Sequence, residues 1–83
     1  MPISANTIWK FKAFIATAIS QSLGEQISKS GLTIDSIKEI QGGYHFSGTF
    51  RLFLQEENLR YEANLTDLGD IISLTINNRK IIS

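Results

Sequence analysis

Tyr44-His45-Phe46-Ser47-Gly48-Thr49-Phe50-Arg51-Leu52 is the stretch on which the fold turns. Tyr44, Phe46, Phe50, Leu52 and, continuing, Leu54 take every second position, with Gly48 in the one gap. His45, Ser47, Thr49, Arg51 and Gln55 take the alternate positions. Successive side chains of a strand point to opposite faces, so this is a strand with one face on a core. The pattern recurs twice. Leu59, Tyr61, Ala63 and Leu65 alternate with Arg60, Glu62, Asn64 and Thr66, and Ile72, Leu74 and Ile76 alternate with Ser73, Thr75 and Asn77. Short polar turns between them imply an antiparallel sheet.

Parity limits the register. The apolar face uses even numbers in the first strand and odd numbers in the second, so opposed residues must sum to an odd number. A turn centred on Glu56-Glu57 would pair Leu54 with Leu59, Leu52 with Tyr61 and Phe50 with Ala63, placing Arg51 opposite Glu62. A turn at Leu68-Gly69 would pair Leu65 with Ile72, Ala63 with Leu74 and Tyr61 with Ile76, with Gly69 supplying a positive φ.

Upstream the period is helical. Ile8, Phe11, Ile15, Ile19, Leu23 and Ile27 recur at three- and four-residue steps. Asn6 is the expected N-cap, and Gly31, after Lys29, the expected left-handed terminator, with Leu32 and Ile27 as its hydrophobic pair. Leu32 to Gln41 fits two readings. As a strand it offers Leu32, Ile34 and Ile40 to the core and turns through Gln41-Gly42-Gly43; as a short second helix over residues 33–41 it stacks Ile34, Ile37 and Ile40. Turn signals and isoleucine content favour the strand. The expected fold is therefore α+β, a single domain over residues 1–83, with one amphipathic helix on a four-stranded antiparallel meander.

This order of elements is similar to the cystatin and PepSY layouts, in which a sheet wraps one helix. The likeness is one of layout. Cystatins carry Gln-x-Val-x-Gly where this chain has Gln41-Gly42-Gly43, and Leu68-Gly69 stands at the place of their Pro-Trp loop, so protease inhibition is not implied and no family is assigned.

Composition narrows the function classes. With 42% hydrophobic and 19% charged residues the chain can fold on a core and is not a disordered tail. Eight basic and eight acidic side chains cancel, so no broad positive field for nucleic acid is expected. The absence of cysteine excludes disulfides, thiolate metal sites and cysteine nucleophiles. No apolar run approaches the ~20 residues of a membrane span. Lys10 and Lys12 before Ala13–Ile19 are similar to the start of a signal peptide, but polar residues recur through the segment at helical spacing; a cytoplasmic protein is expected.

Chemistry-bearing residues are sparse. His45 is the single histidine, expected on the outer sheet face with Glu39 and Asp35 as the nearest carboxylates, and no Gly-x-Ser-x-Gly elbow accompanies it. Asp67 and Asp70 flank a turn without calcium-loop spacing. Gly42-Gly43 lacks a phosphate-loop pattern, and the aromatics share the core face, where they cannot stack on bases. Neither catalytic residues, cofactor nor metal are expected.

Association is expected instead. Ile71 to Ile76 is uncharged, β-prone and, in a four-stranded meander, an edge. Trp9 and Phe14 lie off the main helical stripe, and Phe53, Ile71, Ser73 and Thr75 fall on the outer sheet face. These six are the candidate interface. The leading expectation is a non-catalytic module that self-associates and binds another protein. The alternative is a small-ligand carrier with an apolar pocket near Trp9, Phe11, Tyr44 and Tyr61.

Overall fold

The computed structural model describes residues 4–27, 31–52 and 55–82. Helix α1 (Ala5–Leu23) precedes five strands, β1 (Ser36–Ile40), β2 (Gly43–Arg51), β3 (Asn58–Thr66), β4 (Ile71–Ile76) and β5 (Arg79–Ile82). They form one antiparallel sheet in chain order. Phe46, Phe50, Tyr61, Ala63, Leu65, Leu74 and Ile76 make its buried inner face, and the stripe Phe11, Ile15 and Ile19 of α1 covers it. The α+β class stands, with five strands rather than four.

The additional strand follows a turn at Asn77-Asn78. Both have positive φ (50° and 66°), the backbone of a two-residue hairpin turn whose twist suits a sheet and which asparagine tolerates. Asn77 also returns to β3: its N–H donates to Arg60 O at 2.9 Å and its Oδ1 accepts from Arg60 N at 3.1 Å. β4 therefore lies between β3 and β5, which covers the Leu74–Ile76 half of the expected open edge and leaves Ile71–Ser73 unpaired on that side among the described residues.

α1 is shorter than its periodicity suggests. Ser4, not Asn6, caps it by accepting from Thr7 N at 3.2 Å, and it stops at Gly24 (φ 67°), whose N–H donates to Ser20 O. Ile27 leaves the helix to bridge Leu52 of the sheet, so Gly31 is not its terminator; Lys29 lies outside the described residues. Leu52 itself lies beyond the β2–β3 pairing, which ends at Arg51–Asn58. Phe50 faces Leu59, Gly48 faces Tyr61 and Phe46 faces Ala63, four residues from the expected register, and Arg51 faces Asn58 rather than Glu62. A shift of four preserves parity, which is why the inside and outside assignments survive.

Two bulges account for the other differences. In β4 the register shifts so that Leu65 faces Ile71, while Ala63–Leu74 and Tyr61–Ile76 pair as expected. Ile71 consequently packs against the core and Ile72 is exposed, the reverse of the strict alternation. Before β1, Thr33 N donates to Thr49 O and Asp35 N to Ser47 O, yet Ser36 is the residue paired with Ser47. The extra residue lets Leu32, Ile34 and Ile37 all reach the inner side and puts Ile40 outside, so a strand carries the three-residue spacing that suggested a helix.

Gly48 sits at the crossing of these elements. A Cβ there would lie 2.1 Å from Thr33 O and 3.0 Å from the Tyr61 hydroxyl. The bare backbone lets Tyr61 reach over β2 and donate to Thr33 O at 2.7 Å. Burial, with a smaller contribution from the Asp35 carboxylate, raises the Tyr61 hydroxyl well above the usual tyrosine range.

Gly48→Ala is expected to lower stability by about 2 kcal/mol through overpacking against backbone, measured by urea unfolding. Tyr61→Phe is expected to cost about 1 kcal/mol at neutral pH. Below pH ~10 the phenol is protonated in both states; above it the unfolded chain ionises and the folded one resists. By pH ~11 the wild type should have lost about 1 kcal/mol that Tyr61→Phe retains, visible as a difference between their pH–stability curves.

Candidate functional site

Five of the six candidate interface residues are described, and these separate onto two surfaces. Phe53 lies outside the described residues. Phe14 and Ile71 come together in a groove of about 290 Å³ between α1 and the β3–β4 turn, also lined by Ala18, Leu68 and Asp70. Its shape depends on Gly69: at φ 97° it is a conformation glycine adopts freely, and a Cβ there would stand 2.5 Å from the Phe14 ring. Thr66 holds the turn closed, its N–H donating to Asp70 O and its hydroxyl accepting from Asp70 N. Phe14 is 43% exposed and Leu68, at the tip of the turn, 80%. Trp9 is 69% exposed on α1, with Lys12 Nζ 5.2 Å from its ring centroid.

Ser73 and Thr75 lie on the opposite side, where the outer sheet face is crossed by polar rows. Lys38 faces His45, His45 faces Asn64 and Asn64 faces Ser73. Asn64 Nδ2 donates to Ser73 Oγ at 3.0 Å, so its Oδ1 accepts from His45 Nδ1–H at 2.6 Å. The lone pair of neutral His45 is then on Nε2, 3.6 Å from Glu62 Oε1. In the next row Ser36 faces Ser47, bonded through their hydroxyls at 2.7 Å, followed by Glu62, Thr75 and Lys80. The neighbours of His45 are thus Asn64 and Glu62 of β3 rather than Glu39 or Asp35. Half-buried and bonded on both sides, Asn64 serves the sheet.

The Asn64 acceptor favours the Nδ1–H imidazole against the pull of Glu62 Oε1 on Nε2, and no nucleophile is brought to the ring. Among the described residues no three His, Asp or Glu side chains gather as a metal site, and no helix is long and apolar enough to cross a membrane. Sequence reasoning missed Leu68, whose exposure depends on the turn, and the cations Lys38, Arg51, Arg60 and Lys80 as a set. Arg51 and Arg60 were legible from parity; Lys38, which shares the parity of Leu32, Ile34 and Ile40, required the bulge before β1, and Lys80 required β5. Comparison with protein-family models, curated proteins and solved structures gives no match.

Long-range nitrogen–proton correlation of His45 at a pH where it is neutral should show the Nδ1–H tautomer in the wild type. Asn64→Ala removes the acceptor and is expected to restore Nε2–H as the main form. An unchanged tautomer in the variant would show that Asn64 does not set it.

Proposed function

We propose that the chain is a small non-catalytic interaction module that self-associates and binds another protein through the helix side. One observation carries the reading. The solvent side of α1, from Ala5 to Ser22, carries Trp9 and Phe14 but no carboxylate and only two charges, Lys10 and the half-buried Lys12 whose Nζ lies over Trp9. A solvent-facing helix surface is ordinarily charged and polar, and this one continues through Phe14 into the groove capped by Leu68. A stable interface needs aromatic or aliphatic anchors surrounded by a less charged patch, which Trp9, Phe14 and Leu68 provide. A cytoplasmic setting is part of the proposal.

The carrier reading has less support. Phe11 and Tyr61 are buried, their rings 5.8 Å from Phe46 and 6.3 Å from Phe50 respectively, so they fill the space between helix and sheet. The groove beside α1 is open and slightly below the roughly 300 Å³ at which small-molecule pockets usually begin.

Native mass spectrometry and sedimentation over a range of concentrations test the proposal. Multiples of 9.3 kDa are expected for the wild type. Leu68→Lys should shift the protein toward monomer while changing stability by less than about 0.5 kcal/mol, because the residue is solvent-facing. A monomeric wild type would remove self-association, and a monomer retaining small-molecule mass would favour the carrier.

A further inference from the structure

The outer sheet face carries Lys38, Arg51, Arg60 and Lys80, placed there by their pairing with His45, Asn58, Thr49 and Thr75. Two carboxylates share the face among the described residues: Glu62 in the paired rows, and exposed Asp35, which follows the inward Ile34 and donates its N–H to Ser47 O beside Ser36. The four cations against these two carboxylates leave the face at +2 in a chain of formal net charge zero. None of the four cations forms an ion pair with a described residue, whereas Glu62 stands against His45. Between them the surface is hydroxyl and amide: Ser47, Thr49, Asn64, Ser73 and Thr75, all half-buried. No described element covers it.

We infer that this face binds a short acidic segment of a partner protein. Charge complementarity sets the sign of the ligand, and the hydroxyl and amide rows supply neutral donors to carboxylates. The surroundings set its length. Glu39, Asp67 and Asp70 lie at or beside the turns at one end of the sheet, and Glu56 and Glu57 in the loop at the other. A long polyanion running past the sheet would meet these carboxylates, while a short segment stays within the basic rows. Exposed aromatics for stacking bases are absent from the described part of the face, which separates it from single-strand nucleic-acid platforms.

The surface is distinct from the helix-side one, so the inference does not require self-association. Fluorescence anisotropy with a labelled oligo-glutamate of about ten residues, long enough to cross the sheet, tests it at low salt. Arg51→Gln/Arg60→Gln is expected to weaken binding about tenfold, and the charge-matched helix pair Lys10→Gln/Lys12→Gln less than about twofold. Glu62→Gln should tighten it. Leu68→Lys should leave it within about twofold whatever it does to oligomeric state. Thermal unfolding of each variant identifies any loss that comes from folding. No binding to the wild type, equal weakening by the two charge pairs, or tighter binding of an oligothymidylate of equal charge would overturn the inference.

Discussion

The hydrogen bond from Tyr61 to Thr33 O, passing over Gly48, is the contact on which the other elements depend. The chain leaves α1 at Gly24, meets the sheet where Ile27 bridges Leu52, and before β1 begins pairs with β2 through Thr33 and Asp35. Leu32 anchors this crossing in the core, Thr33 N and Asp35 N pair with β2, and the Tyr61 hydroxyl takes the carbonyl that faces inward. Without the phenol that carbonyl loses its one side-chain donor beside a buried ring. With any side chain at position 48 the two could not approach. A single glycine thus lets β3 hold the connector that holds the helix.

The same crossing explains how far the fold was legible in the residues. Alternation in β2, β3 and β4 marks which side chains are inside because parity is a local property that one strand displays alone. Register is not local. The β2–β3 pairing ends at Arg51–Asn58 and the Leu52 carbonyl accepts from Gln55 N, so a longer loop replaces the tight turn and the register moves by four residues. The bulges at Asp35-Ser36 and near Ile71 are equally invisible to alternation, since each changes parity inside a run that looks regular. β5 was legible in principle: two asparagines between Ile76 and Arg79 are a hairpin turn in composition, but the charges after them resembled a solvated end.

The site followed the same division. Ser73 and Thr75 came out where alternation puts them, and Trp9 and Phe14 where the helical stripe leaves them. Ile71 did not, because the bulge turned it toward Phe14 and made it part of a groove. Leu68 gave no signal, as its exposure follows from Gly69 seating the turn under the Phe14 ring.

Net charge was the least informative quantity in the sequence, and the sheet shows why. Strand alternation puts Arg51 and Arg60 outside by parity, and antiparallel pairing adds Lys38 and Lys80 from the two edge strands to the same surface. The compensating carboxylates are mostly in turns and loops, where solvation and the need to avoid edge pairing favour them. Neutral composition and a basic face are therefore compatible outcomes of one topology. Because α1 occupies the inner side, the low-charge helix surface and the basic sheet surface point away from each other across a molecule 18 Å in its smallest dimension. A protein held against α1 would leave the sheet uncovered, so the two surfaces can be occupied together without either ligand displacing the other.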